Sequence, residues 1–206
     1  MERVLGQHGR GAMKAVFTPL ATQLVKLGVS PDAVTITGTV LASTAALALI
    51  APGYLIVGSL TVGLVVFTDS LDGIMARLIG RESPWGAFLD STLDRITDGA
   101  IFAALAIYFA SVPGTIGRWG LYAGIAAAIL GGVVPYARAR AEAVGYTASV
   151  GIAERSDRLL IALLATLLVG LGLPLWVLAV ALTYLAIAAA ITVGQRLATV
   201  KKQAGA

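Results

Sequence analysis

Residues 33–68 read AVTITGTVLASTAALALIAPGYLIVGSLTVGLVVFT, 36 consecutive positions without a charge, and Asp69 follows directly. At 1.5 Å of rise per residue such a run far exceeds one crossing of a hydrocarbon core about 30 Å thick. Ala51-Pro52-Gly53 breaks it near its middle, so it folds back as a hairpin of two helices. Residues 159–195 form a second uncharged run of 37, broken by Gly170-Leu171-Gly172-Leu173-Pro174. Residues 99–117 and 119–137 are also uncharged, with Val112-Pro113-Gly114 between two further helices.

The fold class expected is therefore all-α: a polytopic membrane protein with six transmembrane helices near 32–50, 54–79, 85–111, 117–139, 157–172 and 174–196. Ser30-Pro31-Asp32 and Ser83-Pro84 each supply an N-cap serine followed by proline at the first helical position. Composition agrees: 58% of the 206 residues are hydrophobic and 13% are charged, where a soluble domain carries about 25%. Mean hydropathy is +0.88. The 24 glycines suit close helix packing in lipid. The absence of cysteine excludes disulfides, thiolate metal sites and cysteine nucleophiles.

Ahead of the first span, residues 13–28 place Val16, Phe17, Leu20, Leu24 and Leu27 on one side and Lys14, Thr18, Thr22 and Lys26 on another. This pattern predicts an amphipathic helix lying on the membrane surface; an ordinary juxtamembrane linker is the alternative. A single membrane-embedded domain over 1–206 is expected, with a surface segment over 1–30, a six-helix bundle over 31–196 and a tail over 197–206. Glu2 and Arg3 lead into a glycine-rich polar stretch, so no secretory signal peptide is expected. His8, the single histidine, lies in that stretch and is read as solvent-exposed.

Six crossings put both termini, the 80–84 turn and the 138–156 loop on one side, with 14 of the 15 lysines and arginines; only Arg118 falls opposite. The positive-inside rule makes that side cytoplasmic, which predicts a multi-pass protein of the cell membrane with cytoplasmic chemistry. All 11 acidic residues belong to the same half.

Asp69 and Asp72 close the second helix, and Asp90 and Asp94 follow on the third, so each pair shares one helix face. Antiparallel neighbours joined by a short turn can bring four carboxylates together near the membrane surface. Hard oxygen donors in this number suit Mg²⁺ or Mn²⁺, two ions forming a clamp for a phosphoryl group. One carboxylate could act instead as general base, with Asp94 the choice. Gly73 and Ala76 flank the first pair with little bulk, and Arg77 is a candidate phosphate or base contact. The glycines could equally serve helix packing, and the aspartates could pair with Arg77, Arg81 and Arg95. Asp98 extends the 86–90–94 face, as a residue orienting a ligand or as a partner for Arg95.

The pattern D-x₂-D-G-x₂-A-R-x₈-G-x₃-D-x₃-D, carried by Asp69, Asp72, Gly73, Ala76, Arg77, Gly86, Asp90 and Asp94, resembles the signature of the CDP-alcohol phosphotransferases. The resemblance implies six membrane helices, an amino-terminal surface helix, cytoplasmic chemistry, a homodimer and two divalent metals per protomer. It implies metal binding by Asp69, Asp72, Asp90 and Asp94, with Asp94 also the base. Gly73, Arg77 and Gly86 would line the cytidine diphosphate site, with Pro31, Asp32 and Thr35 nearby.

The stretch YARARAEAVG followed by VGIAERSDR is similar to the branch of the family whose acceptor is inositol 1-phosphate. That branch implies transfer of a phosphatidyl group from CDP-diacylglycerol to the acceptor hydroxyl, with release of CMP. Arg138, Arg155 and Arg196 would hold the acceptor phosphate; where this chain has Arg138 the branch often has lysine. Basic residues meeting anionic headgroups are the alternative for part of this set. Glycerol 3-phosphate is the rival acceptor. A divalent-cation transporter is a more distant reading, and it lacks acidic residues beyond Asp98 along the third helix. Membrane lipids are expected partners and nucleic acid is not.

Overall fold

The computed structural model describes residues 17–68, 70–80, 83–152 and 154–205, and every regular element among them is a helix. Asp69 and Arg81 lie outside the described residues, as do residues 1–16 with His8, Lys14 and Val16. Helix α1 covers 17–26. It is followed by α2 (Pro31–Ala45), a π-helical turn (Ala46–Ile50), α3 (Leu55–Thr68), α4 (Ser70–Leu78), α5 (Pro84–Ala110), α6 (Gly114–Ala143), α7 (Arg155–Gly170) and α8 (Trp176–Gln203).

Both serine caps form as read. Ser30 Oγ accepts the Ala33 amide at 3.2 Å, and Ser83 Oγ accepts the Gly86 amide at 3.1 Å. Each satisfies an amide that a helix start leaves without an intrahelical acceptor. The first hairpin turns where Gly53 takes φ +100°, a conformation open to glycine and strained for other residues.

Among the described residues, four stretches are long and apolar enough to cross a membrane: Pro31–Ile50, Leu55–Leu78, Gly114–Ala143 and Trp176–Gln203. The other two expected crossings fall short for different reasons. The 16 residues of α7 span about 24 Å, less than a core of about 30 Å. Helix α5 is 27 residues long but carries Asp90, Asp94, Arg95 and Asp98 in its first half.

Several boundaries differ from the charge-based reading. Helix α6 begins at Gly114 and continues to Ala143, so the first six residues of the expected 138–156 loop are helical. Helix α8 continues past Arg196 to Gln203, so most of the 197–206 segment expected as a tail is helix. Leu197, Ala198 and Val200 prolong it without a breaker, and Lys201 and Lys202 in its last turn complement the helix dipole.

The chain divides into two compact units, one of residues up to 42 plus 64–97, the other of 43–63 plus 98–206. In the first, Phe17 and Ala21 of α1 pack with Leu71, Ile74 and Met75 of α4, flanked by Leu24 and Val25. The Phe17 and Phe67 rings lie 5.2 Å apart. The buried stripe of α1 thus faces protein, while Leu20 and Leu27, expected on the same apolar side, are exposed.

In the second unit α6 packs along α8. Its buried positions Gly117, Gly120, Gly124, Ala127, Gly131 and Val134 recur at alternating spacings of three and four, a stripe of small residues that admits close neighbours. An added Cβ at Gly120 would lie 2.2 Å from the buried Phe109 ring. The connector between α6 and α7 is tethered to α8 at three levels. Thr192 Oγ1 accepts the Ile152 amide, Arg196 Nε donates to the Val150 carbonyl, and Gln203 bonds both backbone groups of Thr147.

Candidate active site

The first unit holds a cavity of about 540 Å³. From α2 and its cap it takes Ser30, Pro31, Asp32 and Thr35; from α4, Asp72, Gly73, Ala76 and Arg77; and from the start of α5, Ser83, Trp85, Gly86, Ala87 and Asp90. Every residue expected at the cytidine diphosphate site (Pro31, Asp32, Thr35, Gly73, Arg77 and Gly86) is on this wall, together with two of the four expected metal ligands.

The local geometry explains the grouping. Helix spacing puts Asp72 and Ala76 on one face of α4, and Gly86 and Asp90 on one face of α5. Thr35 is buried on α2, and its hydroxyl lies 2.5 Å from Asp72 Oδ2 and 3.1 Å from the Pro31 carbonyl. The hydroxyl has one proton, and the shorter, charge-assisted contact to Asp72 takes it. The Gly73 amide donates to the other Asp72 oxygen at 2.5 Å. Nothing but Arg77 Nη2, at 3.8 Å, comes near a Cβ built on Gly73, so this glycine leaves open space rather than meeting a packed neighbour.

Trp85 is a wall residue that the motif does not contain, and its Nε1 donates to Asp32 Oδ2 at 3.0 Å. Its only sequence signal is an aromatic residue set between the Ser83-Pro84 cap and Gly86.

Asp94, one turn beyond Asp90, is not on the cavity wall; it lies 3.5 Å from Arg95 Nη2. The described oxygen donors suit a hard divalent cation in kind, since Asp72 and Asp90 share one cavity with no nitrogen or sulfur ligand type beside them. Among the described residues no three or more Asp, Glu, His or Cys form a metal-binding group, and Asp69 is not among those residues.

The expected acceptor residues belong to the second unit, each with its own partner. Exposed Arg138 pairs with Glu142 at 2.9 Å, one turn along α6. Arg155 Nε contacts Asp98 Oδ1 at 3.0 Å. Arg196 donates to the Val150 carbonyl at 2.9 Å and also to the Val134 carbonyl. Arg138, Glu142 and Glu154 all act electrostatically on Arg196, so those charges lie near it. Asp98, left open between two roles, pairs with Arg155 and Arg158. Arg158 belongs to the same basic segment as Arg138 and Arg155, and its spacing, like that of any basic residue near a helix start, does not mark it as the one that would be buried.

The chain belongs to the CDP-alcohol phosphatidyltransferase family, which it matches over residues 28–192. Membership makes it a metal-dependent phosphotransferase. It is 45% identical to the phosphatidylinositol phosphate synthase of Cutibacterium acnes over 95% of this chain and 97% of that one. Its backbone is similar to the Mycobacterium tuberculosis phosphatidylinositol phosphate synthase with CDP-DAG bound, at a TM-score of 0.85 and 38% identity, covering 91% of this chain and 94% of that one. The same enzyme in complex with manganese and citrate matches at a TM-score of 0.83 and 37% identity, covering 89% and 88%.

Proposed function

We propose that this chain transfers the phosphatidyl group of CDP-diacylglycerol to the hydroxyl of inositol 1-phosphate, releasing CMP and forming phosphatidylinositol phosphate. One observation carries the reading: Asp72, Gly73, Ala76, Arg77, Gly86 and Asp90, six of the eight signature positions, line a single cavity. Names and bound groups of its relatives support it, a synthase of this product with CDP-DAG in one structure and manganese in another.

Asp69, Asp72, Asp90 and Asp94 would hold two Mg²⁺ or Mn²⁺ ions. When bound, such ions neutralise diphosphate oxygens and stabilise the departing phosphate. Pro31, Asp32, Thr35, Gly73, Arg77 and Gly86 bind the cytidine diphosphate, Arg77 by charge and Gly73 by leaving room. Asp94 takes the proton of the attacking hydroxyl. The acceptor oxygen bonds to the lipid-side phosphorus, the bond from that phosphorus to the bridging oxygen breaks, and CMP leaves with the electron pair. Arg138, Arg155 and Arg196 bind the acceptor phosphate; a guanidinium carries five donors, so a contact along one edge is compatible with a phosphate on another.

Around this chemistry we place one membrane-embedded domain with six crossings, α5 and α7 supplying the two not met by length and composition. Helix α1 lies at the membrane surface, both termini and the site face the cytoplasm, and the protein is a homodimer in the cell membrane. Family membership speaks against a cation transporter.

The deciding experiment measures CMP release from CDP-diacylglycerol by the purified protein with inositol 1-phosphate or glycerol 3-phosphate. Turnover with the first is expected. Turnover with glycerol 3-phosphate alone would reject the acceptor and make the chain a phosphatidylglycerophosphate synthase.

A further inference from the structure

Asp98 lies one turn beyond Asp94 on α5 and is only 8% exposed. It bridges two arginines that stand three residues apart on α7, and so on one face. Oδ1 accepts from Arg155 Nε at 3.0 Å, and Oδ2 accepts from Arg158 Nη2 at 3.1 Å.

The two arginines differ in surroundings. Arg158 is 2% exposed, and its Nη1 also donates to the Gly131 carbonyl of α6 at 2.5 Å. A Cβ on Gly131 would lie 3.0 Å from that same Nη1, so the glycine is what lets α6 approach the guanidinium closely. Arg158, on α7, is thus held by both α5 and α6 and has little room to change rotamer. Arg155 retains 26% of its side-chain surface.

A buried carboxylate fastened to an immobile guanidinium becomes immobile itself. Its second oxygen then fixes the Nε edge of Arg155, and with it the plane of a fork that binds phosphate bidentately only when that plane is correct. We propose that Asp98 is a positioning residue for the acceptor: locked by Arg158 and Gly131, it aims the guanidinium of Arg155 at the acceptor's phosphate group. The inference rests on Arg155 being an acceptor-phosphate ligand. A purely structural Asp98, serving only as counter-charge for two arginines, makes different predictions.

The test measures initial rates against inositol 1-phosphate and, separately, against CDP-diacylglycerol, for Asp98→Asn, Asp98→Glu, Arg155→Ala and the Asp98→Glu/Arg155→Ala double variant. Asp98→Glu keeps the charge balance should Asp98→Asn fail to fold. A misaimed charged hydrogen bond should raise the acceptor KM roughly tenfold, with kcat and the CDP-diacylglycerol KM within about twofold of wild type. In the Arg155→Ala background, Asp98→Glu should add no further rise, because the two act through one contact. Additive effects, or equal losses with both substrates, overturn the positioning role. So does an unchanged acceptor KM in the Asp98 variants when Arg155→Ala raises it. An unchanged acceptor KM in Arg155→Ala alone defeats the underlying assignment of Arg155, and the inference with it.

Discussion

The Thr35 hydroxyl meets the Asp72 carboxylate at 2.5 Å across 37 residues of chain, binding α2 to the helix that carries the aspartate motif. The donor is neutral and the acceptor ionised, so the contact is a charge-assisted one that fixes the carboxylate's rotamer. Thr35→Val keeps the shape and deletes the donor. A hydrogen bond to a charged group contributes about 1.5–3 kcal/mol, so the concentration of Mn²⁺ giving half-maximal turnover should rise by roughly tenfold or more. An unshifted Mn²⁺ activation curve would show that Asp72 is held by other contacts.

Asp90 lines the cavity together with Asp32 and Asp72, and no histidine or cysteine shares that wall. Asp90→Asn should bring metal-dependent CMP release to background while the protein still inserts and folds. Melting of the metal-free variant should be unchanged or higher, since one like charge is removed from the acidic group. Wild-type turnover would take Asp90 out of the reaction.

Chelation by EDTA should stop turnover, and Mg²⁺ or Mn²⁺ should restore it. Metal binding is also visible without catalysis: an ion at a hundred times its dissociation constant stabilises the folded state by about 2.7 kcal/mol. Adding Mn²⁺ should therefore raise the melting temperature of the wild type and leave that of Asp72→Asn little changed. Equal shifts in both would place the ion elsewhere.

Trp85 is 58% exposed although its indole N–H is engaged by Asp32, so water competes for this contact. Trp85→Phe retains an aromatic ring and loses the donor. The KM for CDP-diacylglycerol should rise by about two- to fivefold, within the range of an ordinary net hydrogen bond, with the acceptor KM unchanged. A shift in the acceptor KM instead would separate Trp85 from the nucleotide.

Gly120→Ala tests the small-residue stripe of α6. The new methyl would sit 2.2 Å from the Phe109 ring, which is fully buried and cannot swing aside. Overpacking of this kind costs about 1–3 kcal/mol, to be read as a lower melting temperature in detergent. Gly132→Ala is the matched control on the same helix, since no atom lies within 4 Å of its Cβ position. Equal melting of the two variants would show that α6 relaxes away from α5.

Local spacing made much of this legible. The serine caps at Ser30 and Ser83, and the turn at Gly53, follow from rules that span only a few residues. Six of the eight motif positions reach the cavity because three- and four-residue intervals define helix faces. Contacts across the fold obey no such interval. Trp85 finds Asp32 at a separation of 53, and Arg155 and Arg158 find Asp98 at 57 and 60. Counting arginines therefore gave a basic segment but not that Arg158 within it would be buried. The helix ends erred for a related reason: Arg196 looked like a boundary because it is charged, yet its Nε and Nη1 reach two backbone carbonyls and the helix runs on.

Thr192, Arg196 and Gln203 have a consequence for how the α6–α7 connector behaves in time. A surface loop ordinarily exchanges its amide hydrogens fast and offers a protease its easiest cut. Here the Thr147 and Ile152 amides end on α8 side chains, so the connector is splinted along a helix and can open only if that splint lets go. The stretch from Thr147 to Ile152 thus behaves as fixed scaffolding rather than as a hinge.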